Sequence, residues 1–362
     1  MTVVGARPQF IKAALVSRAL EKRGVREFMV HTGQHYDYGM SERFFEELGM
    51  RPADVNLGVA SGGHGAQTGR MLEAVEGELE KVKPDRVLVY GDTNSTLAGA
   101  LAAAKLHIPV DHVEAGLRSF DRDMPEELNR ILTDQLSDLL FCPTPTAVRQ
   151  LECEGIRNGV VFVGDVMLDL AMLSRSRAES TPLPPGVPNE DYFLVTLHRP
   201  SNTDGEQRLR EIIGALTDIA ETVGPVVLPA HPRLRRRLGE MQIDHGPIQL
   251  LEPAGYLLTQ RLIMRARAVI TDSGGVQKEA FFHGTPCVTV RDSTEWTETL
   301  HDGANVLMGE SVARLVETAR ERRAKRSLDD AGLRLFGGGA AADRIAESIL
   351  QAGNSRRRWR RS

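Results

Sequence analysis

The stretch Asp111-His-Val-Glu-Ala-Gly-Leu-Arg-Ser-Phe-Asp-Arg-Asp-Met-Pro-Glu-Glu-Leu-Asn-Arg130 gathers carboxylates, an imidazole and guanidinium groups into one short run. Side chains of these types exchange protons and hold anions, and acid/base chemistry needs them close together. Ile108-Pro-Val110 closes an apolar strand ahead of the run. Leu128, Ile131, Leu132, Leu136, Leu139 and Leu140 recur at helical spacing after it, so the run forms a strand-to-helix loop. Pro125 suits the first helical position because it lacks an N–H. Glu126 and Glu127 then occupy the first turn, where the positive end of the helix dipole favours an ionised carboxylate and suits a general base. Two glutamates there can also simply cap the helix. Glu114 and the earlier Asp92, each at the end of its own strand, weigh toward chemistry. Asp92, in Tyr90-Gly-Asp-Thr-Asn-Ser95, has its own structural alternative as the N-cap of a helix from Ser95 to Lys105.

Anion-holding groups recur at two further places. The first strand leads into Gly5-Ala-Arg-Pro-Gln-Phe-Ile-Lys12, so Arg7 and Lys12 straddle the start of the first helix, where the dipole assists. Val269-Ile-Thr-Asp-Ser-Gly-Gly-Val-Gln-Lys-Glu-Ala280 runs from strand through a glycine pair into a helix. There Gly274 and Gly275 let a phosphate approach the backbone N–H groups, Ser273 adds a hydroxyl, and Glu279 is placed to accept both hydroxyls of a ribose. Neither a Walker motif nor Gly-x-Gly-x-x-Gly occurs at this point, which disfavours ATPase and dinucleotide readings. His198, in Thr-Leu-His-Arg-Pro at a strand end, can bond a phosphate oxygen, and His231-Pro-Arg233 ends the next strand in the same way. Gly62-Gly-His-Gly65 reads as a mobile loop before a helix at Gln67.

Apolar strands alternating with helices carry these groups: 2–4, 27–30, 86–90, 110–113, 139–141 and 159–163, then 192–196, 225–228, 248–251, 268–270 and 287–290. Near-continuous apolar strands in a βαβ rhythm predict parallel sheets covered on both faces. Residues 174–191, rich in proline and polar residues, read as a linker between an N-terminal domain (1–173) and a C-terminal domain (192–336). The expected class is α/β, two Rossmann-like parallel-sheet domains facing a cleft that holds the ligand. A terminal helix follows at 337–355, and the basic tail 356–362 reads as solvated and frayed.

The 362 residues include 45 basic and 49 acidic side chains, a near-neutral balance that gives no global field for nucleic acid or an anionic membrane. Cys142, Cys153 and Cys287 lack a metal-ligand spacing and fit reduced thiols, and no metal or cofactor is expected. No apolar run approaches the ~18 residues of a membrane span, and the chain opens on a strand without a signal peptide, so a cytoplasmic location is expected.

Seven motifs in order, namely 5–12, His31-Thr-Gly-Gln-His35, Gly91-Asp-Thr93, His112-Val-Glu-Ala-Gly-Leu-Arg118, Pro125-Glu-Glu-Leu-Asn-Arg130, His198-Arg199 and Asp272-Ser-Gly-Gly-Val-Gln277, resemble the non-hydrolysing UDP-N-acetylglucosamine 2-epimerases over almost the whole chain. The resemblance implies a glycosyltransferase-B type architecture, a UDP-sugar substrate, a homodimer formed through helices of the first domain, and a terminal helix crossing back to that domain. It implies inversion at C2 of a UDP-2-acetamido sugar by elimination of UDP to a 2-acetamidoglucal and re-addition. Asp92, Glu114 and Glu126 match the acid/base carboxylates, with the direction of each proton transfer left open. Arg7, Lys12 and the catalytic candidate His198 match positions near the diphosphate. Ser273, Gly274, Gly275 and Glu279 match the phosphate and ribose contacts, and Arg130 joins the substrate-binding set.

Three departures from the family pattern bear on the sugar. His198-Arg-Pro-Ser201 replaces His-Arg-Arg-Glu, Thr294-Glu-Trp-Thr-Glu298 replaces Thr-Glu-Arg-Pro-Glu, and Gln9 replaces a frequent acid. These look closer to relatives acting on UDP-2,3-diacetamido-2,3-dideoxyglucuronate, whose C6 carboxylate calls for a cation such as Arg118, Arg122 or Arg291. UDP-N-acetylglucosamine stands first, with the diacetamido sugar and a hydrolysing reaction as alternatives. Some members are activated by a second UDP-sugar near residues 31–35, where Tyr36-Asp37 departs from the usual continuation. A glycosyltransferase would not need three carboxylates around C2, and a nucleotide-sugar sensor would have lost them.

Overall fold

A computed structural model describes residues 1–34, 51–59, 62–309, 311–321 and 330–359. The chain divides into two compact units, Met1–Met172 with Gly332–Ser362, and Leu173–Ala331. The first contains β1 (Thr2–Val4), α1 (Arg7–Glu21), β2 (Met29–His31), β3 (Val55–Asn56), α2 (His64–Val82), β4 (Val87–Tyr90), α3 (Asn94–Lys105), β5 (Val110–Val113), α4 (Pro125–Leu136), β6 (Leu139–Cys142), α5 (Pro145–Cys153), β7 (Val160–Phe162) and the first half of α6 (Val166–Ser180), within which the division falls. The second contains β8 (Phe193–Thr196), α7 (Pro200–Thr203), α8 (Glu206–Thr222), β9 (Val226–Pro229), α9 (Pro232–Glu240), β10 (Gln249–Leu251), α10 (Tyr256–Arg265), β11 (Ala268–Thr271), α11 (Gly274–Phe282), β12 (Cys287–Thr289), β13 (Asn305–Leu307) and α12 (Leu315–Glu321). After α13 (Asp330–Leu335), α14 (Ala341–Trp359) ends the described chain.

Both sheets are parallel at every described pairing, in the orders β3-β2-β1-β4-β5-β6-β7 and β10-β9-β8-β11-β12-β13, so each unit is Rossmann-like. Alternate strand residues feed opposite faces. In the second unit Phe193 and Val195 join Ile212 and Leu216 of α8, while Tyr192 and Leu194 join Leu262 and Ile263 of α10. Fully buried strands of this kind explain why the sequence shows continuous apolar runs. In the first unit, α3 lies so close to the sheet that a Cβ on Gly99 would meet Val89 at 3.1 Å and Val3 at 3.2 Å. The alanines of α3 permit the same approach.

The structure differs from expectation at several boundaries. α6 runs through the first part of the expected 174–191 linker, supported by an Arg175–Glu179 contact of 3.3 Å, and stops before Pro182. The irregular connection is therefore limited to the proline-rich remainder. His64 and Gly65, expected in a loop, form the first turn of α2. The edge strands β3 and β13 are two and three residues long, too short to leave a pattern in the sequence. The return to the first unit begins at Gly332, ahead of the expected boundary, and α14 carries the backbone through 356–359, which were expected to fray. Among the described residues no helix is long and apolar enough to cross a membrane, and no His, Cys, Asp or Glu cluster could hold a metal. All three cysteines are free.

α14 packs on α1, with Arg23 bonding Asp343 at 2.7 Å and Glu347 at 2.8 Å, and its start is held from α6, where the Asp169 carboxylate accepts the Ala342 N–H at 2.9 Å. Those exposed ion pairs contribute little, whereas the buried cap replaces water at otherwise orphaned helix donors. Asp169→Ala should lower unfolding free energy by about 1–2 kcal/mol and speed amide hydrogen exchange across the start of α14 first. Unchanged exchange there would show that the cap does not hold the helix.

Candidate active site

In each sheet the strand order reverses between the first and fourth strands of the unit, at β1/β4 and at β8/β11. Loops leaving two such strands diverge, and ligands bind in the crevice they open. The singled-out residues fall largely on those loops.

At the first switch point, Gln9 fastens the loop after β1 to the end of β4. Its buried side-chain oxygen accepts the N–H groups of Gly5 (2.7 Å) and Ala6 (2.9 Å). Its amide nitrogen donates to the Tyr90 carbonyl (2.7 Å) and to the hydroxyls of Thr93 and Thr96. A group that both donates and accepts is what this position uses, which an ionised acid could not supply. Arg7 is the first residue of α1, and its side chain lies outside the described set. Lys12, one helical turn further, forms an ion pair with Glu114 at the end of β5, and both side chains are largely buried.

Gly91, at φ +62°, turns the chain out of β4 beside that pair: a Cβ there would lie 3.3 Å from Glu114 Oε2 and 3.7 Å from Lys12 Nζ. Asp92 follows, its carboxylate accepting from Arg130 Nη2 at 2.5 Å and its carbonyl from Asn129 Nδ2 at 2.9 Å. Thr93, not Asp92, is the N-cap of α3, which removes the capping alternative for Asp92. Arg130 also donates to Glu127 at 2.9 Å, and Glu127 accepts the N–H groups of Ser119 and Phe120 at 2.9 Å each. Burial raises the Glu127 pKa, but these bonds outweigh it and hold the carboxyl below its ordinary value. Glu127 thus fastens the loop before α4, whereas Glu126 beside it is exposed.

Arg118 has a different place from the one its motif suggested. Its buried guanidinium bonds Glu154 through Nε (2.7 Å) and Nη2 (2.6 Å), and Asp134 and the Leu117 carbonyl through Nη1 (2.7 Å each). Those bonds take up the faces that a sugar carboxylate would need, so Arg118 is a structural cation here, while Arg122 is exposed. Asp134 also accepts from Gly116 N–H (3.1 Å) and contacts His112 Nδ1 (2.7 Å). Its pKa, pushed up by burial, is brought below the ordinary value by His112 and Arg118. Asp111, which opens the polar run, bonds Arg86 ahead of β4 and lies away from these groups.

At the second switch point, Asp272 follows β11 and organises the loop after β8. Its fully buried carboxylate accepts from the N–H groups of His198 (3.1 Å) and Arg199 (3.0 Å) and from Asn202 Nδ2 (3.2 Å), and contacts His198 Nδ1 at 2.7 Å. Burial opposes its ionisation, and the His198 contact with the other bonds prevails, holding its pKa below the ordinary range. The His198 side chain is more than half exposed, with Nδ1 held by Asp272. Ser273 caps α11, its hydroxyl accepting from Val276 N–H at 3.4 Å.

The two glycines differ. A Cβ on Gly274 would run into Glu295 and approach Trp296 Nε1 at 3.2 Å, while one on Gly275 would meet nothing closer than Ser273 Oγ at 3.8 Å. Gly275 is therefore the open approach to the helix start. Glu279 is buried one turn on. Lys278 lies over the Trp296 ring at 3.5 Å, and Arg291 bonds Glu295 at 2.9 Å through Nη2, while its buried Nη1 has no hydrogen-bond partner among the described residues.

The first unit thus pairs Lys12 with Glu114 and Arg130 with Asp92 on either side of Gly91, while Glu126 stands exposed in the first turn of α4. The second brings His198, Ser273, Gly275 and Arg291 to the ends of its strands. Sequence reasoning missed Gln9's role, Asn129, Asp134 and Asp272. The signal for Asn129 and Asp134 was present in the spacing Glu127, Arg130, Asp134, one polar stripe along α4. Gln34 accepts from Ser95 Oγ at 2.6 Å, whereas His35, Tyr36 and Asp37 lie outside the described residues.

Residues 18–350 match the family model described as UDP-N-acetylglucosamine 2-epimerase. A UDP-2,3-diacetamido-2,3-dideoxy-D-glucuronate 2-epimerase of Pseudomonas aeruginosa is 54% identical over 97% of this chain and 99% of its own length. A UDP-N-acetylglucosamine 2-epimerase of Methanocaldococcus jannaschii is 42% identical over 96% of this chain and 97% of its own. A crystal structure of the M. jannaschii UDP-GlcNAc 2-epimerase in complex with UDP-GlcNAc and UDP superposes with a TM-score of 0.89 at 40% identity, covering 97% of this chain and 99% of that one. With the fold, the paired carboxylates and these likenesses in agreement, the chain belongs to the UDP-N-acetylglucosamine 2-epimerase family and is a UDP-sugar 2-epimerase, an isomerase.

Proposed function

We propose that the enzyme inverts C2 of a UDP-2-acetamido sugar by eliminating and re-adding UDP, and that its sugar is the 2,3-diacetamido-2,3-dideoxyglucuronate. The observation that carries the reaction is the placement of Asp92 and Glu114 at one switch point, each carboxylate matched by a cation, Arg130 and Lys12. The C2 proton is weakly acidic, so one carboxylate takes it as the C1–O bond breaks and the electron pair leaves with the β-phosphate oxygen of UDP. A C1=C2 double bond remains in the 2-acetamidoglucal. A second acid returns a proton to C2 from the opposite face while the same phosphate oxygen re-forms the bond to C1. In the second unit, His198 and the helix start at Gly275 supply positive potential for a diphosphate. Asp92, Glu114 and Glu126 share the two proton transfers.

The choice of sugar is supported by the 54% identity to the diacetamidoglucuronate epimerase against 42% to the M. jannaschii UDP-N-acetylglucosamine epimerase. It is also supported by the departure at Thr294-Glu-Trp-Thr-Glu298, beside which Arg291 keeps an unbonded Nη1 for a carboxylate. UDP-N-acetylglucosamine itself is the second reading, favoured by the family model. A homodimer belongs to the same proposal and is read by light scattering.

Proton NMR in D₂O with each UDP-sugar should show the C2 epimer of the diacetamidoglucuronate forming with deuterium at C2 and little free UDP. Preferential turnover of UDP-N-acetylglucosamine would reverse the assignment of the sugar. Glu114→Gln should lower kcat by ~10²- to 10⁴-fold with UDP binding retained. Full turnover in that variant would remove Glu114 from the proton transfers. Arg291→Ala should cost the uronate sugar about 10- to 100-fold more in kcat/KM than UDP-N-acetylglucosamine, the size of a lost charge-assisted bond. Equal losses would place Arg291 on the diphosphate instead.

A further inference from the structure

His112 ends a chain of buried contacts that the proton transfers do not use directly. The ring is fully buried, with Nδ1 at 2.7 Å from Asp134 Oδ1 and Nε2 at 2.8 Å from the Gly91 carbonyl oxygen. A carbonyl oxygen only accepts, so Nε2 carries a proton. Asp134 takes N–H groups from Gly116 and Arg118 on its other oxygen and is the acceptor toward Nδ1 as well. A neutral imidazole has one N–H and would turn a lone pair toward one of these two acceptors. Across Gly91 the Lys12–Glu114 pair is balanced by itself, and the Cys142 thiol near Asp134 is pushed up by burial and stays neutral.

We propose that His112 is a positioning residue for the epimerisation, held doubly protonated by Asp134 so that its Nε2–H fixes the Gly91 carbonyl and the turn that carries Asp92. The Gly91 N–H already donates to the Val113 carbonyl at 2.9 Å, so both main-chain groups of Gly91 are pinned to β5. Asp134 also holds the N–H of Gly116, two residues beyond Glu114. One ion pair therefore sets the turn of Asp92 and the turn after Glu114 from a single helix. A displacement of ~1 Å in such a constellation costs on the order of 10²-fold in rate. The inference rests on the reading that Asp92 and Glu114 carry the proton transfers.

Two substitutions separate the two ring contacts. His112→Gln places an amide N–H near the position of Nε2, facing Gly91, and gives up Nδ1. His112→Asn keeps an N–H toward Asp134 and releases Gly91. His112→Gln should retain kcat within about 10-fold and His112→Asn should lose about 100-fold, with KM of both within about 3-fold of wild type. Equal activity of the two variants, or losses of kcat that follow the unfolded fraction, would overturn the proposal. Because either substitution can unfold the chain, the wild-type enzyme supplies a second readout. ¹⁵N NMR of histidine-labelled protein at the pH of the activity assay should show both His112 ring nitrogens protonated, and an unprotonated ring nitrogen there would overturn the proposal whatever the variants do. Asp92→Asn with full turnover would instead remove the reading of Asp92, leaving the protonation of the ring to be judged on its own signal.

Discussion

Compensation of buried charge at the carboxyl ends of β4 and β5 governs the rest of the first unit. Taking an ion out of water costs several kcal/mol unless a partner and hydrogen bonds replace the lost hydration. Asp92, Glu114, Glu127 and Asp134 all lie at or beneath that edge, and each is matched by Arg130, Lys12, Arg118 or His112. The need for those partners decides how α4 sits. Its inward face is polar, with Glu127, Asn129, Arg130, Thr133 and Asp134 buried, while Leu128 and Leu132 are exposed at 43% and 49%. The leucine spacing that reads as the core side of an amphipathic helix marks its outer side here.

The second unit solves the same problem with backbone instead of cations. Asp272 is as deeply buried as Asp134, yet its acceptor capacity is met by two main-chain N–H groups, an asparagine amide and one imidazole. The effect is to make a carboxylate the organiser of a loop and to orient His198 by one nitrogen while freeing the other. A carboxylate held ionised by several donors keeps an adjacent imidazole in one orientation, which side-chain packing alone does not do.

The class of fold was legible because continuous apolar strands and helices leave strong local patterns, and the strand-end polar clusters marked the candidate site. The alternation gave both sheets, and Lys12, Asp92 and the Ser273-Gly-Gly275 start of α11 follow switch-point strands, with Glu114 after the neighbouring β5. What the sequence hid is non-local. Arg118 shares a motif with Glu114, but its partners Asp134 and Glu154 lie 16 and 36 residues away, so nothing nearby reveals that its donors are spent. Gln9 looks like the loss of an acid until the Tyr90 carbonyl, 81 residues on, is seen to need a donor. α6 overran the expected linker because serine and arginine tolerate a helix until proline forbids it.

The departures from the family pattern divide unequally between these two solutions. Asp92, Glu114, Glu126, Asn129 and Arg130 stand in motifs that resemble the family pattern, and the ion-pair network beneath them leaves little freedom. An uncompensated charge introduced there would be paid for at several kcal/mol. The altered stretches 199–201 and 294–298 lie in the second unit. There Trp296 packs against Lys278 and Gly274, and Glu295 takes one arm of Arg291 while the other is left open. Replacing a charged side chain by tryptophan at that place changes the number of charges without touching the network of the first unit, because the two lie in separate cores. Separate cores let the carboxylates of the first unit stay fixed while side chains of the second unit vary.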